Sequence, residues 1–173
     1  LAIGSTWQGK PIGGFGDLCV FSFHPNKNIT SIEGGALVVN DEREARDVEV
    51  LRFHGITRLP DGTRDVLVPG GKFNLPDVNA AVGLRQLARL PEFNARRREL
   101  VARYFARFRT DPPCELPHPG YPGDEAGHSW NMFAPLLPLA DLAISRKDFR
   151  DALEARGIGT GMSLTDYSSS NRI

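Results

Sequence analysis

Apolar residues fall in short runs along this chain, and the period of the pattern changes from run to run. Leu18-Cys19-Val20-Phe21-Ser22-Phe23 is nearly continuous, which predicts a buried strand. It breaks at His24-Pro25, because proline cannot donate to a sheet ladder. A polar segment holding Lys27 and Glu33 follows, then Gly34-Gly35 and a second apolar run, Ala36–Val39. From Asp41 the period becomes helical. Asp41 is a candidate N-cap with Glu42 and Glu44 in the first turn, Val48, Leu51 and Phe53 share a face, and Gly55 ends the helix. Residues 56–72 carry Gly, Pro, Asp and Thr without apolar period and read as an exposed or mobile loop.

A helix is expected from Asn74-Leu75-Pro76-Asp77 onward, with Val78, Ala81, Val82 and Leu87 as its apolar face. Pro91 should divide it from a longer helix on which Phe93, Leu100, Tyr104 and Phe108 recur at helical spacing. Residues 110–127, with five prolines and three glycines, read as a linker or surface loop. Ser129–Leu137 reads as a strand, Ser145 caps a helix through Arg156 closed by Gly157, and Ile158 opens another strand. Strands alternating with helices on either side of a long helix predict an α/β chain with two lobes.

Composition narrows the function. Twenty-one basic residues balance 21 acidic ones, so neither a nucleic-acid footprint nor a polyacidic tail is indicated. The cluster Arg96-Arg97-Arg98 reads as a solvated helix face. No run of 18 apolar residues and no signal peptide at the start mean that neither membrane nor secretion is expected, and a reducing cytoplasmic setting is the default. Cys19 and Cys114 have no metal spacing and make no disulfide framework.

Three motifs carry candidate chemistry. Gly4 to Lys10 matches a phosphate loop in spacing, but Pro11 stands where a Mg²⁺-binding hydroxyl is needed and no strand precedes Gly4. Asn28-Ile29-Thr30 satisfies the glycosylation pattern, which is discarded without a secretion signal. Lys27 is more informative. A lysine just past a buried strand can be partly desolvated, which frees a neutral amine for condensation with an aldehyde; the plain alternative is a solvated loop lysine.

The segment Phe21–Gly35 resembles the active-site stretch of the DegT-type sugar aminotransferases, fold-type-I enzymes that use pyridoxal 5'-phosphate (PLP) on nucleotide-linked keto sugars. The resemblance extends through Gly4-Ser5 with Gly9-Lys10, Phe53-His54-Gly55, Gly71–Asp77, Asn79-Ala80-Ala81 and Gln86-Leu87. His128-Ser129-Trp130 and Gly157–Gly161 are most similar to the branch that acts on a UDP-linked 4-keto pentose, the UDP-4-amino-4-deoxy-L-arabinose–oxoglutarate aminotransferases. The similarity runs from residue 1 to about residue 162. It implies a fragment of a fold-type-I α/β chain, with residues 1–90 from the large cofactor-binding domain and residues 91–173 holding a linking helix and the start of the small domain. The polar tail after about residue 163 has no counterpart in the resemblance and is expected to be atypical.

By the same resemblance Lys27 is the catalytic, cofactor-binding amine. Ser22 donates to the cofactor phosphate, and Asn74 reaches the phosphate of a neighbouring subunit, implying a homodimer with a shared site. Read from the residues alone, Ser22 is a buried serine bonded to backbone and Asn74 a helix cap or turn residue. Dehydratase relatives carry histidine at the lysine position, so Lys27 favours amino transfer, with glutamate as donor and a nucleotide-linked 4-keto sugar of polysaccharide or lipopolysaccharide synthesis as acceptor. Leu1 and Ser163 stand where close relatives have histidines, and the acid that pairs with the pyridine nitrogen has no counterpart here, so the piece alone is expected to be inactive. The alternative is a non-catalytic relative that keeps the fold for sugar-nucleotide binding or regulation.

Overall fold

The computed structural model describes residues 2–108, 114–118, 125–138 and 143–160. They form three antiparallel two-stranded ribbons and three α-helices. The first ribbon pairs β1 (Thr6–Trp7) with β2 (Lys10–Pro11). Its turn residues, Gln8 and Gly9, both have positive φ, as the tightest hairpin turn requires. The Gly4–Lys10 segment is therefore a hairpin, with no helix behind it to bind phosphate.

The second ribbon pairs β3 (Leu18–Ser22) with β4 (Gly35–Val39) in full register, Leu18 opposite Val39 and Ser22 opposite Gly35. The apolar run does make the expected strand, but it is not buried: Val20 is 77% exposed and Leu18 57%. Helix α1 (Glu42–Leu51) starts as expected, with Asp41 accepting from the amides of Arg43 and Glu44 at 2.8 and 3.0 Å. Residues 56–72 depart from a loop. β5 (Ile56–Arg58) pairs with β6 (Arg64–Val66), and Asp61 closes the turn by accepting from the Thr63 amide at 2.9 Å. Both strands are short and largely exposed, so no alternating apolar pattern marks them.

Helix α2 (Asp77–Arg107) is a single element of 31 residues, roughly 46 Å long. Pro91 does not break it. A proline inside a helix removes one hydrogen bond and costs about 3 kcal/mol, but here it sits in a stretch fixed by burial on both sides, with Leu90 8% and Asn94 5% exposed. Asn74 is not the cap of α2; that position is Pro76, which offers no side-chain acceptor.

The core is strung along α2. Leu90 and Asn94 pack on Gly4, where a Cβ would stand 2.9 Å from Leu90 Cδ2. Further along, Tyr104 stacks on Phe133 (4.8 Å), and Phe105 meets Trp130 (5.9 Å) and Phe133 (5.4 Å) edge-on. Residues 129–135 are irregular rather than a strand, and only Leu136 bridges back to Glu115. The ring cluster sets their path in place of a ladder, with Trp130 at φ +48°. Helix α3 (Arg146–Glu154) is capped by Ser145, which accepts from the Asp148 amide at 3.1 Å. Residues 158–160 are irregular, so the strand expected from Ile158 does not begin there, and its continuation, like the 161–173 tail, lies outside the described residues.

Candidate functional site

Lys27 lies in a ten-residue loop, 24–33, that leaves the ribbon after β3 and rejoins it at β4. Phe23 closes the neck of this loop. Its amide donates to the Gly34 carbonyl at 2.8 Å, and its carbonyl accepts from the Ser31 amide at 3.0 Å and from Thr30 Oγ1 at 2.9 Å. Thr30 Oγ1 also accepts from the Ile32 amide at 2.8 Å, and Ser31 Oγ, fully buried, donates to the Glu33 carbonyl at 2.9 Å. These bonds hold Ile32 at φ +72°, a conformation that a β-branched residue rarely adopts. Asn79 of α2 donates to the same Glu33 carbonyl at 3.0 Å.

The glycine pair has a steric reason. A Cβ on Gly34 would meet Leu75 Cδ1 at 2.6 Å, and one on Gly35 would meet the Phe21 carbonyl at 2.5 Å. Glu33 thus serves the loop through its backbone.

Within this frame Lys27 is half-buried. Its amide donates to the His24 carbonyl at 2.9 Å, which makes a turn of residues 24–27. Its Nζ has no hydrogen-bond or ion-pair partner among the described residues. Ser22, also half-buried, accepts a long contact from the His24 amide at 3.4 Å, and its O–H has no acceptor among the described residues. The end of β3 and the loop that follows it therefore carry an uncommitted hydroxyl and an uncommitted amine, donor types that suit an anionic, aldehyde-bearing group.

The next residue anchors the loop to α2. Asn28 is 2% exposed; its Nδ2 donates to the Ile3 carbonyl at 3.2 Å and its own carbonyl accepts from Arg97 Nη2 at 3.2 Å. Burial of this side chain also closes off the glycosylation pattern. Arg97 Nη1 donates to Asn94 Oδ1 at 3.2 Å, and Asn94 Nδ2 donates to the Gly4 carbonyl at 3.3 Å. Of the three arginines expected on a solvated face, Arg96 fits, bound to Glu99 and more than half exposed. Arg97 does not. Burial pulls its guanidinium below its ordinary pKa. A run of three arginines gives no hint of which one turns inward, whereas the spacing of Leu90, Asn94, Arg97 and Val101 does mark one helix face.

Asn74 is elsewhere. It lines a cavity of about 990 Å³ between β4, α1 and the start of α2, along with Glu33, Leu37, Arg46, Arg52 and Phe73. Lys27 and Ser22 do not line that cavity. The Oδ1 of Asn74 is buried without a partner among the described residues. A second cavity, about 410 Å³, lies between the first ribbon and residues 128–132 and is lined by Trp7, His128 and Trp130. Among the described residues no cluster of His, Cys, Asp and Glu is placed to hold a metal, and no helix is long and apolar enough to cross a membrane.

Comparison with known proteins gives the family and the fold. The model of the DegT/DnrJ/EryC1/StrS aminotransferase family matches residues 1–168, a few residues past the reach of the resemblance seen in the sequence. Helicobacter pylori PseC, an aminotransferase of pseudoaminic acid biosynthesis, is 32% identical over 90% of this chain and 41% of its own, with a TM-score of 0.80. A Streptococcus pneumoniae protein assigned as a sugar aminotransferase, solved in its PMP form, is 27% identical over 98% of this chain and 44% of its own (TM-score 0.81). The E. coli GDP-4-keto-6-deoxy-D-mannose-3-dehydratase with bound hydrated PLP is 25% identical over 98% and 46% (TM-score 0.82). The chain thus spans less than half the length of each of these proteins.

Proposed function

The chain belongs to the DegT/DnrJ/EryC1/StrS aminotransferase family and carries part of the fold-type-I fold; on that premise we propose that it contributes Lys27, Ser22 and Asn74 to a PLP-dependent aminotransferase. The reaction moves an amino group from glutamate to a nucleotide-linked 4-keto sugar. One observation carries the reading: Lys27, a half-buried residue whose amine is unpaired among the described residues, sits on a loop whose neck is fixed by Phe23. The fold by itself does not separate amino transfer from dehydration, since a dehydratase is among the similar structures. The lysine supports the first.

When bound, pyridoxal phosphate supplies the aldehyde and the electron-withdrawing ring on which amino transfer depends. Lys27 in its neutral form would be the nucleophile toward that aldehyde, and its Nζ could also take up and pass on a proton. Ser22 would help hold the cofactor by donating its O–H to the phosphate. Asn74, in a cavity apart from Lys27, supports a site completed by a second copy of the chain, whose phosphate its amide would reach.

The test is covalent capture. Protein loaded with PLP and reduced with borohydride should carry the pyridoxyl group on Lys27 by peptide mass spectrometry, and Lys27→Ala should carry none. Turnover is expected only of a protein that carries the whole fold: loaded with PLP, it should convert glutamate and a UDP- or GDP-linked 4-keto sugar to the amino sugar, and Lys27→Ala should abolish this. Absence of capture in the wild-type protein would favour a non-catalytic sugar-nucleotide-binding relative.

A further inference from the structure

Arg97 stands out among the arginines of α2. Arg89, Arg96 and Arg103 each pair with a glutamate on the same helix, at half-exposed positions. Arg97 has no acidic partner among the described residues. It spends its fork on two neutral acceptors at once: Nη1 on Asn94 Oδ1 and Nη2 on the Asn28 carbonyl, both at 3.2 Å. The second acceptor belongs to the residue that follows Lys27. Asn94 in turn donates to Gly4, and Asn28 to Ile3, so one buried set of bonds joins α2, the start of the described chain and the lysine loop. A cation withdrawn from water toward a backbone carbonyl gains a stronger bond than a neutral donor makes, and a planar fork reaches two such acceptors from separate nitrogens in a fixed geometry.

We propose that Arg97 is a positioning residue for Lys27, with Asn94 orienting it, so that the rigid helix α2 fixes where the amine is presented. The proposal rests on the reading of Lys27 as the cofactor amine. A nucleophile held by a rigid element reaches its electrophile in the right geometry far more often than one on a free loop, and displacements near 1 Å suffice to cost rate. The neck bonds at Phe23 fix the ends of the loop, and Arg97 fixes its middle.

Arg97→Lys keeps the charge and most of the bulk but loses the planar fork whose two nitrogens bond the two acceptors, and Asn94→Ser removes the amide acceptor that orients Arg97 without touching it. Arg98→Lys is the control. Two measurements are made on each PLP-loaded protein: hydrogen exchange of the Lys27 and Ser31 amides, bonded to His24 and Phe23, and the rate of borohydride capture of PLP on Lys27. Arg97→Lys should speed exchange of these amides roughly five- to tenfold and slow capture, with Asn94→Ser acting in the same direction and Arg98→Lys changing neither. Should Arg97→Lys fail to fold, Asn94→Ser decides. Faster exchange with unchanged capture would reduce Arg97 to a structural contact and overturn the positioning role, as would exchange that does not change. If wild-type protein captures no PLP while the amides still respond to Arg97→Lys, the assignment of Lys27 falls and the anchor alone survives.

Discussion

Ser5 and Ser129, 124 residues apart in sequence, share a reciprocal contact: Ser5 Oγ donates to Ser129 Oγ at 2.8 Å and accepts from the Ser129 amide at 3.1 Å. Ser129 is 3% exposed. The pair ties the turn before the first ribbon to the segment that enters the aromatic cluster of Trp130 and Phe133. Ser5→Ala removes both bonds and takes an acceptor from a buried amide, which should cost about 1–3 kcal/mol. Urea denaturation checks this, and Ser5→Thr, which keeps the hydroxyl, should recover much of the loss.

Two glycines with similar backbone angles should respond unequally to alanine. Gly55 has φ +70°, and a Cβ there would stand 1.7 Å from the Val68 carbonyl oxygen; Gly9 has φ +74° and open space around it. Gly9→Ala should lose only the left-handed backbone term, about 1–2 kcal/mol. Gly55→Ala must also push apart two backbone segments at the root of the β5–β6 ribbon, a further 1–3 kcal/mol or more. Melting temperatures of the two variants, measured side by side, test the ordering; equal shifts would contradict it.

His128 gives a pH signature. It is half-buried, with Nδ1 accepting from the Trp130 amide at 2.9 Å and its ring 4.3 Å from the indole. Burial holds its pKa below the usual histidine value. The unfolded chain therefore takes up a proton near pH 6.5 while the folded chain does not, so stability rises with pH through that range and is lost on acidification. Protonating Nδ1 would also turn the acceptor of the Trp130 amide into a donor, the same direction. His128→Gln should flatten the stability profile just below pH 6.5, and an unchanged slope relative to wild type would remove His128 as its source.

How much of this was legible in the sequence depends on whether a residue's role is local. Asp41 and Ser145 cap their helices as expected, because a cap acts within one turn. The β3–β4 ribbon follows from two apolar runs around a polar loop, but exposure of Val20 does not, since a run of apolar residues marks a strand without saying which face is covered. Pro91 misleads for the opposite reason: its intrinsic cost is local, and tertiary contacts of Leu90 and Asn94 override it. Lys27 is proposed from its surroundings in sequence and the family resemblance that they carry. Thr30 and Ser31, which hold its loop, act through contacts that no spacing along the chain displays, and for Arg97 the helical spacing marks the inward face but not the Asn28 carbonyl that it meets.

The separation of Asn74 from Lys27 leads to a complementation experiment. In one copy they belong to different surroundings, Asn74 in the cavity against β4 and Lys27 on the loop bound to α2 through Asn28. In a protein that carries the whole fold, if each site takes its lysine from one copy and its asparagine from another, Lys27→Ala and Asn74→Ala damage sites in a way that mixing can separate. A hybrid of the two variants then holds one site with both defects and one with neither. Each variant alone should be strongly impaired, Lys27→Ala the more so because the amine itself is gone, and Asn74→Ala chiefly through weaker PLP retention. Unfolding the variants together and refolding them should restore part of the amino-transfer activity, while mixing folded proteins without exchange should not. Restoration must also follow the hybrid fraction, measured by tagging one variant and quantifying co-purification. Hybrids that form in good yield yet show no more activity than the sum of the parents would mean that Asn74 serves the lysine of its own copy, and the shared site would have to be abandoned.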